Sequence, residues 1–220
     1  MPDYRTEYQK VYEAIRNAIM DGEYAPGERL VQRHLAKKYR TTTITVREAL
    51  RFLENAGLVV IEPRWGAMVH EITAERIRGR YVVREALEGM AARLAAVNIV
   101  NMNWKNELLA LAERCDTELP QDRLSRREKA NLHFMLHEKI VQLSANEELI
   151  CSISRISLHT ILLSNAYHID WTSDDMHRHK KLIIALASGD PELAEATMRA
   201  HVRDGCRMEI KALEDHALSS

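Results

Sequence analysis

Cysteine, glycine and proline are all scarce in this 220-residue chain, and each shortage closes a class of explanation. The three cysteines, Cys115, Cys151 and Cys206, are odd in number, far apart and in no CxxC pair. A disulfide framework is therefore not expected, and a reducing cytoplasm is. With eight glycines, the chain has no Gly-rich loop of the kind that cradles a nucleotide phosphate. No GxSxG elbow and no Cys–His nucleophile signature occurs either. No apolar run approaches the roughly 18–20 residues that span a bilayer. The opening segment, MPDYRTEYQK, is charged where a secretory signal would be apolar. No membrane partner is expected, and the expected location is cytoplasmic. Only Pro120 and Pro191 fall beyond residue 70, which leaves that stretch free for long helices.

What is present divides unevenly. The net charge is −1 overall, but residues 33–51 carry Arg33, Lys37, Lys38, Arg40, Arg47 and Arg51 against the single acid Glu48. A basic patch on a nearly neutral protein suits a phosphate backbone; the alternative is a solvated helix face. Around the patch, Tyr8, Val11, Tyr12, Ile15 and Ile19 recur at helical spacing over 7–21 and end at Gly22. Pro26-Gly27 makes a turn. Leu30, Leu35, Ala36 and Tyr39 suggest a second, short helix, and Val46, Ala49, Leu50 and Leu53 a third that stops at Gly57. The third helix has a capping box at Thr45–Glu48, unless Thr41 or Thr42 is the N-cap. LVVIEPRWGAMV then reads as a hairpin, with Arg64 and Trp65 at its tip and Gly66 permitting the tight turn.

Three helices and a hairpin describe a winged helix-turn-helix over residues 1–72. Thr43, Arg47 and Arg51 point away from the third helix's apolar stripe, toward a major groove. The hydroxyls of Thr42, Thr43 and Thr45 at the helix start suit phosphate oxygens, and arginine can contact guanine bidentately. With PGERL, VREAL and GLV…RWGAMV in this order, the segment resembles the DNA-binding domain of GntR-type bacterial transcription regulators. The resemblance implies a double-stranded operator as partner, with Arg33, Arg47 and the wing glycine Gly66 at DNA-contacting positions. The family commonly has Ser-Arg-Thr-Pro before VREAL. Here Thr43 stands in place of the base-reading arginine and Ile44 in place of threonine, so a different operator is expected. Ile44 either meets a thymine methyl or packs within the protein, and packing is the expectation.

Residues 73–220 read as an all-α bundle, with helices near 74–97, 104–118, 126–144, 147–167, 173–188 and 191–214. Most of the ten histidines lie here. In HFMLH, His133 and His137 stand at i and i+4, close enough to share one ion. His179 and His201 each lie about 11 residues from the LASGDPEL turn. If the two helices are antiparallel, both fall at the same height, roughly 16 Å from that turn. Four imidazoles could then converge inside the bundle. The plainer alternative is four polar residues on wet or structural faces. His159 and His168 line a pocket or satisfy the core, and His177 is expected at the surface.

YVVREALEGMAARLAA, LHEKIVQLSANEEL and HRHKKLIIALASGDPELAEATMRAHV resemble the all-helical FCD effector domain of the FadR subfamily. The resemblance implies a divalent metal held by an aspartate, a histidine four residues later and two histidines near the C-terminus. His137, His179 and His201 match the histidines, and His133 stands where the aspartate would. An all-nitrogen set favours Zn first, with Ni, Cu or Fe as alternatives, over Mn or Mg. Arg84, in VVREALE, is placed near the pocket by the resemblance; it meets an acidic effector or forms a structural ion pair with a glutamate.

The zincin reading of LHEKI fails, because HExxH needs histidine at 141 and the residue is Val141. The expected function is a metabolite-responsive regulator and not an enzyme: a homodimeric repressor whose metal-centred site takes a small carboxylate. The alternatives are a metal-dependent enzyme on a helical bundle, and a regulator with a purely structural metal and no small effector.

Overall fold

The structure, a computed structural model, describes residues 6–71, 73–99, 104–117, 123–154, 156 and 178–219. It divides into two compact units, Met1–Ile72 and Thr73–Ser220. The first unit runs α1 (Glu7–Met20), β1 (Arg29–Leu30), α2 (Gln32–Lys38), α3 (Thr43–Asn55), β2 (Val59–Glu62) and β3 (Gly66–Val69). Thr6 and Gln9 close a reciprocal capping box at the start of α1. Val11, Ile15, Ala18 and Ile19 of α1 pack on the Val46, Ala49, Leu50 and Leu53 stripe of α3. The α2–α3 turn passes through Arg40 in the left-handed region, at φ 52°.

One local expectation is corrected here, and one open alternative is decided. Leu30 belongs to a strand rather than the second helix: β1 pairs antiparallel with β3, Leu30 opposite Ala67, giving a sheet of order β1-β3-β2. A two-residue strand has no periodicity of its own, so only its partner defines it. The N-cap of α3 is Thr42, whose hydroxyl accepts the Thr45 N–H at 3.1 Å, and Thr45 lies inside the helix.

The second unit contains α4 (Ala74–Ile99), α5 (Lys105–Thr117), α6 (Arg123–Leu143), a helical stretch over 147–154 (α7), α8 (Arg178–Ala187) and α9 (Pro191–Ser219). The expected helical segments over 157–177, with His159, His168 and His177, lie outside the described residues. The longest packing surface joins α4 to α9. Ala91, Ala92, Ala95 and Ala96 of α4 and Ala194 of α9 are fully buried, Ala91 in one cluster with Val141 and Ile153. A Cβ added at Gly89 would lie 2.7 Å from Arg199 Cγ. Glu85 bridges to Arg199 and Arg203, and Arg93 to Glu192 and Glu195, along the seam. The α8–α9 turn uses Gly189 at φ 74°. Asp190 then caps α9 by accepting the Leu193 N–H at 3.1 Å, with Pro191 as first helical residue. Helix α6 packs on α4 and α5, and α8 on α5 and α9. The five helices α4, α5, α6, α8 and α9 thus meet around one buried polar spot.

Candidate metal centre and DNA-contact face

Four histidines from three helices fill that spot. On α6, His133 and His137 share a face through their four-residue spacing, and Lys129, one turn earlier, is buried on the same side. The antiparallel α8–α9 pair brings His179 and His201 level with them. One ring nitrogen from each of the four lies within 4.8 Å of every other. The His201 Nε2 is 3.0 Å from His137 Nε2 and 3.4 Å from His133 Nε2.

Two buried carboxylates orient the rings. Asp116 Oδ1 accepts from His179 Nδ1 at 2.6 Å, and both its oxygens also receive backbone N–H groups at the start of α8, from His179 and Lys180. Glu88 Oε2 accepts from His137 Nδ1, while its Oε1 receives Arg84 Nε at 2.6 Å. A carboxylate can only accept, so each Nδ1 carries hydrogen and, in the neutral ring, each Nε2 presents its lone pair to the centre. Burial alone would raise the Glu88 carboxyl, but Arg84 and then His137 outweigh it and hold it well below the usual carboxylate range. Burial pushes His133 and His201 well below the usual histidine range, and neighbouring imidazoles add to this. Burial also lowers His179, against the pull of Asp116. These three rings are therefore neutral near pH 7, the form in which imidazole binds a metal.

The donor set fits a transition-metal ion. At metal–nitrogen distances of about 2.0–2.1 Å, tetrahedral donors stand roughly 3.3 Å apart, close to the two nitrogen–nitrogen distances measured at His201. Among the described residues the buried His179 Nε2 has no hydrogen-bond partner, a costly state unless something else engages the lone pair. Ligating histidines that pass their other N–H to a carboxylate are the usual supporting arrangement of such sites. Sequence reasoning missed Glu88 and Asp116, which lie 49 and 63 residues from the histidines they hold. Arg84 is 5% exposed, with its guanidinium 4.7 Å above the Tyr81 ring. Of its two sequence readings, the ion pair with a glutamate is what the structure contains.

In the first unit, Arg33, Thr42, Thr43, Arg47, Arg51 and Arg64 are exposed and Thr45 and Gly66 half-buried. Gly66, at φ 83°, opens β3 directly after the hairpin turn, with Arg29 beside it. Trp65 at the tip is 64% exposed. Ile44 corrects an expectation: it is 66% exposed, so it does not pack within the chain.

The family profile for bacterial regulatory proteins of the gntR family matches residues 7–69, and that of the FCD domain matches residues 80–204. The chain belongs to the GntR family, with an FCD domain. Similar GntR-type relatives include the HTH-type transcriptional regulator YdhC of Bacillus subtilis, 26% identical, with 94% of this chain and 93% of the relative covered. The HTH-type transcriptional repressor RspR of Escherichia coli is 23% identical, with 89% and 86% covered. A solved structure described as a transcriptional regulator GntR, from Rhodococcus sp. RHA1, shares the fold with a TM-score of 0.73 at 23% identity, over 96% of this chain and 99% of that one. This GntR-family protein is accordingly a bacterial DNA-binding transcription regulator and not an enzyme. No described helix is long and apolar enough to cross a membrane.

Proposed function

We propose that this regulator is a homodimeric repressor whose FCD unit holds a divalent transition metal, Zn foremost, on His133, His137, His179 and His201, and senses a small carboxylate there. The observation that carries the reading is the convergence of four imidazoles, with the tautomers of His137 and His179 set by Glu88 and Asp116. When bound, the ion would supply a Lewis-acidic anchor for an anionic oxygen. The chain's own residues do the rest. Glu88 and Asp116 hold His137 and His179 in register, and Arg84 keeps Glu88 ionised. In the first unit, the Arg33, Arg47, Arg51 and Arg64 side chains engage operator DNA, with the Thr42, Thr43 and Thr45 hydroxyls on phosphate and Gly66 letting the wing approach. Two such units occupy the half-sites of a palindrome. Effector binding changes operator affinity, by about 5–150-fold for a typical coupling.

The number of donors favours a second reading. Four histidines are enough to close a tetrahedral shell, as in structural sites that keep no open position. The experiment is metal analysis of the native protein beside a His133→Ala/His137→Ala variant, followed by thermal shifts and operator binding of the metal-loaded protein with a panel of small carboxylates. One equivalent of metal, lost in the variant, with a carboxylate that shifts both stability and operator affinity, is the expected result. Metal retained by the variant would overturn the ligand set. Metal bound, no carboxylate effect and unfolding on chelation would select the structural site.

A further inference from the structure

The buried residues of α3 are Val46, Ala49, Leu50 and Leu53; its one large aliphatic side chain left out of the core is Ile44, in the first turn. Helical spacing places Ile44 in line with Glu48 and Arg51 and beside Arg47, all exposed. Isoleucine is a poorer helix former than alanine, leucine or lysine, and here it leaves most of its surface in water. Neither stability nor helix propensity accounts for it. Its polar neighbours are partly engaged: the Thr42 and Thr45 hydroxyls bond each other at 2.9 Å, and Thr42 also caps the helix. Ile44 is therefore an apolar knob at the N-terminal end of a face otherwise built of threonine and arginine.

A duplex offers an apolar knob one partner in the major groove, the C5-methyl of thymine, and the N-terminal residues of a recognition helix are those that reach base edges. The surrounding charge selects DNA over a protein surface, because Arg47 and Arg51 stand exposed beside Ile44 on the same helix. We propose that Ile44 is a specificity-determining residue that packs on a thymine methyl, so that each operator half-site carries a T·A pair beneath the start of α3. The inference rests on α3 being the helix that enters the major groove, and it is independent of the metal site.

The test starts from sequences selected by the full-length protein out of a random duplex pool. Each thymine of the selected operator is then replaced in turn by deoxyuridine, which removes only the methyl. At one position per half-site the wild-type affinity should fall about fourfold, the factor for burying a group worth about 0.8 kcal/mol. Ile44→Ser should bind the thymine and uracil duplexes equally, while Arg47→Ala should weaken binding to both. A selected operator without a fixed thymine, or uracil tolerated everywhere while Arg47→Ala still weakens binding, would overturn the role of Ile44 alone. If Arg47→Ala were also silent, α3 would not be in the groove, and the docking it rests on would fall with it.

Discussion

Asp116 carries more than its single charge suggests. Its two oxygens take the His179 ring and two backbone N–H groups of α8, so it caps a helix and aims an imidazole at once. Asp116→Asn keeps the shape but replaces one acceptor oxygen by a donor amide. Loss of such a supporting group typically lowers metal affinity 10–100-fold. The same fall is expected here in competition with a chromophoric chelator, with the helical content unchanged; an unaltered affinity would separate Asp116 from the centre. Glu88→Gln should do the same through His137, at greater cost in stability, because it also removes the buried carboxylate charge that faces the Arg84 guanidinium. None of this was legible in the sequence. His133 and His137 announce their proximity because a helix guarantees it. A carboxylate on α4 or α5 becomes a histidine's partner only through packing, and nothing in LEGM or RCDT marks it. Arg84 shows the converse. Its motif drew attention, and the acid four residues along the same helix, Glu88, accounts for its observed pairing.

Among the elements, α3 was the most readable and its start the least. Val46, Ala49, Leu50 and Leu53 give the helix away by period, and all four are fully buried. The start was ambiguous because RTTTIT offers several hydroxyls, and only the geometry selects Thr42. Thr42→Ala should cost the winged unit about 1 kcal/mol of unfolding free energy, read from the urea transition of that unit. Thr41→Ala should leave the transition in place, and equal losses in the two variants would deny the cap its role. The strand β1 was missed because its pairing with Met68 and Ala67 is non-local. By contrast the α8–α9 pair could be placed from Ser188-Gly189-Asp190 and Pro191 alone, since a left-handed glycine and an Asx cap dictate a sharp reversal.

For the molecule as a whole, a buried acid outside the histidine cluster sets an expected pH dependence. Glu209 on α9 accepts the Tyr81 hydroxyl at 2.7 Å, and its other oxygen has no hydrogen-bond partner among the described residues. Burial raises its carboxyl from 4.5 to about 7, against the Tyr81 hydrogen bond and the pull of Arg84 and Arg80. Below about pH 4.5 folded and unfolded chains both hold the proton, and Glu209 contributes nothing to pH dependence. Between there and about pH 7 only the folded chain holds it, so stability falls as pH rises. Above pH 7 the full penalty of about 3 kcal/mol remains. Glu209→Gln should therefore stabilise the helical unit relative to wild type at pH 8, with the advantage shrinking toward pH 5. An advantage that does not change with pH would mean that the carboxyl ionises in place without cost. The division of the chain into a DNA-binding and a helical unit could be read from where strand-like and helix-like periods change, whereas Glu209 looked like one more polar residue on a long helix.

The α8–α9 turn has a consequence for how such chains can diverge. His179 and His201 are separated by 22 positions, and both reach the centre because the reversal at Gly189 lies midway. Exposed faces of both helices can change residue by residue at little cost. A single insertion between His179 and the turn, or between the turn and His201, would swing one imidazole by about 100° and slide it about 1.5 Å. The interval is thus free in composition but locked in length. Among related chains, the spacing between these two histidines should therefore outlast the identity of almost everything between them.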